Sequence, residues 1–384
     1  MSSAVAAVPV SAASAIEVRP VASKADREAF IRFQWEPYRG NPAFVPPLLM
    51  ERRDFLNPKK NPFFQHADVE LFLARRNGKI VGRIAAIEDR NYNKFHSSKT
   101  AYWGLFECLD DEEAARALFR AARDWSRPRG LAQLLGPMNV STNYDCGLLV
   151  DAFELAPYLL MTYNPPYYVR LVEACGQTKA KDLIGWSIDV TKEVPERVQK
   201  LAEKFRKRED LTVRPIDVKD MANEIEKIKR IYNDAWEQNW GAVPMTDDEF
   251  HHMAKDMKQL VVPELFLIAE VRGEPVAFAM TLPDVNRALA KVDGRLFPFG
   301  LLKLLWHMRK IKACRLIALG IRKGFRKRGI DAVLYNDTLK NAQKLGYVDG
   351  EVSWTLEDNV LINRAIELMG AKRYKTYRMY EGAV

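Results

Sequence analysis

Arg315 to Leu339 reads RLIALGIRKGFRKRGIDAVLYNDTL: an apolar run, a glycine- and arginine-rich loop, then an amphipathic segment. Leu316 to Ile321 suits a buried strand, and Ile330, Val333, Leu334 and Leu339 recur at the spacing of a helix's inner face. Between them, Gly324 and Gly329 remove side chains where backbone must approach a ligand closely. Amides at the start of a helix point at whatever lies before them, and the helix dipole adds partial positive charge there. Arg322, Lys323, Arg326, Lys327 and Arg328 surround that point with cations. The order is that of a cradle for a pyrophosphate; the alternative is a basic turn that binds nothing.

Spacing excludes two common phosphate loops. No G-K-[S/T] follows, as a Walker loop requires, and the G-x-G of a dinucleotide fingerprint is missing. Arg326-Lys327-Arg328-Gly329-Ile330-Asp331 instead resembles the R/Q-x-x-G-x-G/A signature of the GNAT acyltransferase superfamily, whose loop holds the pyrophosphate of coenzyme A. Asp331 stands where that family has its last Gly or Ala; a carboxylate there either weakens diphosphate binding or caps the helix. Tyr347 to Trp354 reads as the next strand. Asn359-x(10)-Gly370 resembles the family's closing N-x(10)-G-F helix and turn, with Ala371 in place of the Phe. Ile366 falls where many members place a tyrosine general acid.

Weak internal repeats extend the resemblance. Val18-Arg19-Pro20 returns as Val213-Arg214-Pro215, and Phe44-Val45-Pro46 loosely as Ala242-Val243-Pro244. Glu70 to Ala74, with a turn at Asn77-Gly78, returns as Glu264 to Ile268 with a turn at Arg272-Gly273. Gly130 to Asn143 matches Gly346 to Asn359, and Gly176 matches Gly370. The resemblance implies an α/β (α+β) fold of two tandem GNAT-like domains, each a mixed, mostly antiparallel sheet flanked by helices. The expected division is a disordered tail over 1–15, an N-terminal domain over 16–190, a linker helix within 191–210 and a coenzyme A domain over 211–384. In the first unit the stretch corresponding to the basic loop is the acidic LDDEEAA after Cys108, and acid repels a diphosphate.

Composition agrees with two domains. The chain has 384 residues, enough for two cores, and its 48% hydrophobic and 28% charged residues are those of a globular protein. The first fifteen residues lack a basic n-region and a continuous apolar core, so they do not read as a signal peptide. No stretch approaches the ~18 apolar residues of a spanning helix. Cys108, Cys146, Cys175 and Cys314 have no C-x-x-C spacing, which suits reduced thiols in the cytoplasm. His251 and His252 are adjacent, would point different ways on a helix, and make no zinc site; no metal is expected. Pro195 to Asp210 carries Val198, Leu201 and Phe205 at helical spacing.

The net charge of +9 is concentrated: Gly294 to Ile330 holds eleven Lys or Arg and no Asp or Glu. Its first half, an insertion over 295–312, reads RLFPFGLLKLLWHMRKIK. As a helix it places Leu301, Leu304, Leu305 and Met308 on one face, widened by Leu302 and Trp306, and Lys303, His307 and Lys310 on another. A basic helix carrying Leu and Trp, entered through Phe297-Pro298-Phe299, is the pattern of an interfacial segment, so Phe297 to Lys312 is expected to meet an anionic membrane surface. The alternative is an insertion whose apolar face packs on its own domain. Nucleic acid is not an expected partner, because no recognition helix accompanies the charge.

Candidate site residues follow from the resemblance. GNAT enzymes use the free amides of a splayed strand, here Leu316 to Ile321, to hold pantetheine and polarise the thioester, with a nearby base. Leu319, Ile321, Arg322, Phe325, Arg326, Lys327, Arg328, Gly329, Ile330 and Asn359 are the implied acyl-CoA contacts. Glu351, Glu357, Asp284 and His307 are alternative candidate bases. Tyr374, Tyr377 and Tyr380 either replace the missing tyrosine or form one face of a terminal strand. NVSTNYD (Asn139–Asp145) and MTYNPPYY (Met161–Tyr168) crowd polar and aromatic groups, making Asn143, Tyr144, Tyr163, Asn164 and Tyr167 candidates for the acceptor pocket, with Trp306 beside them. The tandem plan, the two Pro-Pro segments and the basic insertion resemble the bacterial ceramide synthase type of GNAT protein. That type implies transfer of a long acyl chain from acyl-CoA to a sphingoid base such as 3-oxosphinganine or sphinganine, in the cytoplasm or peripherally on the inner face of the membrane. An acetyl-CoA enzyme acting on a soluble amine, a nucleic-acid-binding regulator and an inactive coenzyme-binding scaffold are the competing readings.

Overall fold

A computed structural model describes residues 15–384 apart from Gln238; the tail expected to be disordered lies almost wholly outside the described residues. The N-terminal half supplies strands β1 (Glu17–Pro20), β2 (Ala67–Arg76), β3 (Lys79–Asp89), β4 (Thr100–Cys108), β5 (Gln133–Gly136), β6 (Leu148–Leu149) and β7 (Thr178–Asp189). Its helices are α1 (Lys24–Phe33), α2 (Leu49–Phe55), α3 (Arg90–His96), α4 (Glu112–Ser126) and α5 (Tyr167–Ala174). The C-terminal half supplies β8 (Leu211–Pro215), β9 (Phe266–Val271), β10 (Glu274–Pro283), β11 (Ala313–Ile321), β12 (Asp349–Leu356) and β13 (Lys372–Ala383). Its helices are α6 (Glu196–Arg208), α7 (Met221–Trp236), α8 (Asp247–Met257), α9 (Asn286–Leu289), α10 (Gly300–Met308), α11 (Ile330–Lys344) and α12 (Val360–Leu368).

The repeat seen in the sequence is repeated in the backbone. β2 and β3 are joined through Asn77-Gly78 at φ 50° and 76°, and β9 and β10 through Arg272-Gly273 at φ 52° and 79°. Two consecutive positive φ values are what a two-residue hairpin turn needs to match strand twist. Gly130 and Gly346 are likewise left-handed, as are Gly176 and Gly370.

All strands belong to one sheet in the order β1-β2-β3-β4-β5-β13-β7-β12-β11-β10-β9-β8, with β6 pairing β13 to the side. Each half therefore builds its first five strands in the same order and receives its sixth from the other. β13, at the end of the chain, lies between β5 and β7; β7 lies between β13 and β12. Tyr377, Met379 and Tyr380 on β13 are fully buried in the N-terminal cores, while Ile184 and Trp186 on β7 belong to the C-terminal one. The halves are exchanged at the centre of the sheet.

Helix faces follow the apolar spacing. α4 buries Ala114, Ala115, Leu118, Phe119 and Ala122, and α11 buries Ile330, Val333, Leu334, Leu339 and Ala342. The segment read as a linker helix is α6, and its Val198 and Ala202 are buried in the C-terminal core. α10 buries none of its residues. Met308 and the following Ile311 pack inward beside Leu159 and Leu282, whereas Leu301, Leu302, Leu305 and Trp306 are exposed, with Phe297 before them 83% exposed. The expected single apolar face is thus split, and its larger part meets solvent.

Candidate active site

β11 pairs with β10 along its length, with a register shift that leaves Ile317 unpaired. Against β12 it pairs in parallel only from Ala313 to Leu316. Beyond that point the two strands separate, and the backbone of residues 317–321 has no strand on its β12 side. A backbone edge of this kind keeps hydrogen-bonding groups available to a ligand.

At the end of β11 the chain turns through residues 322–329 into α11. The helix is capped by Gly329 at φ 81°, which offers no capping side chain. Glycine is required twice over: a Cβ would lie 2.0 Å from Cδ2 of Phe205, and the left-handed backbone is strained for any other residue. The helix dipole adds partial positive charge at this end. Asp331 in the first turn is half-buried, and desolvation pushes its carboxyl pKa up, while a hydrogen bond from the Ala332 amide opposes the shift.

The basic residues divide by partner. Arg322 pairs with Glu274, Lys323 with Glu237, and Arg328 with Glu209 at 3.3 Å. Arg326 donates to the Ala235 carbonyl at 2.6 Å and the Ile321 carbonyl at 3.3 Å. Phe325 lies under the guanidinium groups of Arg328 and Arg322. Lys327 has no hydrogen bond or ion pair among the described residues and faces the same cavity as Arg326.

That cavity has a volume of about 1930 Å³ and walls from both halves. The C-terminal half contributes Leu316 to Leu319, Ile321, Arg326, Lys327 and Asp331, with Trp354, Asn359 and Ile366 opposite. The N-terminal half contributes the 137–148 loop, Tyr163, Asn164 and part of α2. Asn359 is the N-cap residue of α12 but makes no side-chain cap, leaving its amide on the wall. Ile330 is buried in the core behind the wall.

The acceptor candidates are only partly gathered there. Asn143 accepts from the Tyr232 hydroxyl at 2.9 Å and donates to the Val243 carbonyl, joining the halves across the wall. Tyr144 and Tyr163 are also on the wall, where burial raises both phenol pKa values. Asn164 lies there too, but its amide is used to pin Leu149. Tyr167 is elsewhere, donating to the Cys108 carbonyl, and Trp306 is on the outer side of α10 beneath Lys310.

The four candidate bases stand off the wall. Glu351 is buried behind it, paired with Arg315 at 2.6 Å because register places the two side by side, and it also accepts from Tyr374. Asp284 is buried, accepting from the Leu159 amide at 2.9 Å and Arg287 at 3.0 Å. Glu357 pairs with Lys179 and accepts from the Asp182 amide. His307 is on α10, where burial and Lys291, Lys303 and Lys310 hold its pKa down. Each of the three carboxylates is already engaged by a cation, an amide or a hydroxyl. The tyrosine alternatives are resolved as a terminal strand: Tyr377 and Tyr380 are core residues of β13. Sequence reasoning missed Arg52, Asp145 and Arg315, which line the cavity; Asp145 ends a stretch already notable for its polar crowding.

The tandem GNAT protein from the clavulanic acid biosynthesis pathway superposes with a TM-score of 0.53 over 96% of this chain and 98% of its own, at 10% identity. Two repeats in one continuous sheet give the protein the tandem GNAT fold. No family model matches the chain. It is 37% identical over 376 residues to the bacterial ceramide synthase of Caulobacter vibrioides (strain NA1000 / CB15N), covering 96% of this chain and 98% of that protein. It is 34% identical over 371 residues to protein YghO of Escherichia coli (strain K12), covering 95% and 94%. The chain belongs to the bacterial ceramide synthase family and is a GNAT-type acyl-CoA N-acyltransferase.

Proposed function

We propose that the protein moves a long-chain acyl group from acyl-CoA to the primary amine of a sphingoid base such as 3-oxosphinganine or sphinganine, forming a ceramide-type amide. The size and lining of the cavity carry this reading. At about 1930 Å³, with largely apolar walls, it exceeds the roughly 300–1,000 Å³ of an ordinary small-molecule pocket. Met50, Leu160, Leu361 and Ile362 both line it and are exposed, so its mouth is apolar where an acyl chain would enter. In this reading the backbone at Leu319 and Ile321 holds the pantetheine arm. The amides at Gly329 and Ile330 and the Lys327 ammonium receive the pyrophosphate, while Arg322, Phe325, Arg326 and Arg328 shape the loop. Asn359 lies along the coenzyme, and Asn143, Tyr144 and Tyr163 face the acceptor.

α10 supplies the approach to a lipid surface. Leu302 and Trp306 are 68% and 54% exposed beside Lys303 and Lys310, and each cation contributes about 1 kcal/mol near an anionic bilayer. The test is mass spectrometry of purified protein with palmitoyl-CoA or acetyl-CoA, offered sphinganine and 3-oxosphinganine in anionic vesicles alongside soluble polyamines. An N-palmitoylated long-chain base is expected; acetylation of a polyamine alone would refute the lipid reading. The variant L302E/W306E changes only exposed side chains and should fold normally while losing turnover of vesicle-borne acceptor. Undiminished turnover would remove α10 from the membrane contact.

A further inference from the structure

The cavity wall carries six carboxylates, and five of them have a partner. Glu51 pairs with Arg52, Asp54 with Lys60, Glu107 with Arg83, and Asp256 with His252, while Asp331 accepts a backbone amide. Asp145 has neither a side-chain hydrogen bond nor an ion pair among the described residues. Its backbone, in contrast, is held firmly. The Asp145 carbonyl accepts from the Asn139 amide at 2.9 Å, Cys146 bridges Met138, and the Gly147 amide donates to the Pro137 carbonyl. A fixed backbone presenting a free carboxylate to a cavity is a preorganised arrangement for catalysis. The charged groups near it are Arg52 and Glu51 from α2 and Arg315 from β11; Arg315 lies two residues before the register shift at Ile317, where the strands begin to part. Asp145, from the N-terminal half, thus shares one cavity with Leu316 to Leu319 of β11, along which a thioester would lie.

We infer that Asp145 is the base that takes the proton from the acceptor's ammonium group. The inference rests on the amine acyl transfer proposed above. With one proton transferred to Asp145, the nitrogen lone pair forms the C–N bond at the thioester carbonyl. The C–S bond then breaks and its electron pair leaves on the coenzyme sulfur. The second nitrogen proton goes to that sulfur through solvent, giving amide and free thiol, and Asp145 returns its own proton to solvent. Burial pushes the Asp145 pKa above the ordinary carboxylate range, Arg52 and Arg315 pull it down, and Glu51 pushes it up. A base with a raised pKa is better matched to an ammonium than an ordinary carboxylate.

Asp145→Asn keeps the shape of the side chain and removes the base. Its kcat should fall about 100-fold or more, within the usual span of general-base catalysis. Palmitoyl-CoA affinity and melting temperature should be unchanged. The acid limb set by Asp145 should disappear from the kcat/KM profile, leaving only the rise at the higher pH where the acceptor amine loses its own proton. Asp145→Glu should keep the acid limb. A raised KM at unchanged kcat would mean that Asp145 only binds the ammonium, and an acid limb retained in Asp145→Asn would place the base elsewhere; either overturns the inference. If the wild-type enzyme acylates a soluble amine and no lipid, the lipid reading fails and the same comparison on that amine decides the role of Asp145.

Discussion

The two halves share strand order, hairpin turns and a parallel strand pair that begins to part, yet one parting is sealed and the other open. In the N-terminal half, β4 pairs with β5 only over Thr100 to Tyr102. The chain after β5 then fills the gap: the Met138 amide donates to the Trp103 carbonyl at 2.8 Å, and Asn139 accepts from the Leu105 amide at 3.0 Å. Gly104 permits this closeness, since a Cβ there would fall 1.6 Å from the Met138 carbonyl oxygen. Asp111 caps α4 with its own carboxylate, bonded to the Ala114 amide, and Arg76 neutralises it. In the C-terminal half the equivalent helix is capped by a glycine and the equivalent gap is part of the cavity. The fold does not make a coenzyme site by itself. What differs is whether the chain satisfies the backbone groups that the fold exposes or leaves them facing the cavity.

The exchange of β7 and β13 predicts that neither half stands alone, and breaking it has the largest expected effect. Ending the chain at Ala371 removes Tyr377, Met379 and Tyr380, all fully buried. Losing a large core side chain costs about 2–5 kcal/mol, so three approach or exceed the ~5–15 kcal/mol stability of a typical domain. The truncated protein should lose hydrogen-exchange protection in β4 and β5 as well as in β7. A truncated chain that melts cooperatively near the wild-type temperature would show that the halves fold without exchanging strands.

The two helix starts give the next contrast. Gly329→Ala should weaken acyl-CoA binding by about tenfold or more, because a left-handed non-glycine residue costs about 1–3 kcal/mol and Phe205 blocks the Cβ. Asp111→Ala should cost about 1 kcal/mol of stability through the lost cap and leave acyl-CoA affinity unchanged. Isothermal titration and thermal melts separate the two effects. Equal binding losses would mean that the N-terminal helix also faces a ligand.

Legibility in the sequence followed the range of the forces involved. The strand, loop and helix of Arg315–Leu339 were readable because strand period, glycine placement and helix period are local properties. The repeat was readable because matched turns leave matched residues at Asn77-Gly78 and Arg272-Gly273. Strand exchange was not, because both β7 and β13 suit the centre of a sheet and only long-range pairing decides which neighbour each takes. For the same reason Glu351 looked like a free strand carboxylate, whereas its register with Arg315 makes it the buried half of an ion pair. The excess of cations in the loop was visible from composition; that Arg322, Lys323 and Arg328 are neutralised by Glu274, Glu237 and Glu209 was not.

The smallest expected effect lies at the seam where the sealed half grips the open one. His66, just before β2, has Asp89 at 3.1 Å on one ring nitrogen and Glu249 of α8 at 3.0 Å on the other. Burial alone would lower its pKa, but the bonds and charge of Asp89 and Glu249 outweigh it and raise the value from 6.5 to about 9. A raised folded-state pKa stabilises the fold fully below the unfolded value near 6.5, and that contribution is lost as pH rises through about 9. α8 also carries His252, Met253 and Asp256 on the cavity wall, so loosening the seam acts on the open half's site. The wild-type melting temperature should fall between pH 7 and 10 by an amount equivalent to about 1–3 kcal/mol, from the size of such shifts. His66→Ala should start lower and lose this component of the slope. Parallel wild-type and variant profiles across that range would mean that the imidazole stays neutral and the grip does not depend on its charge.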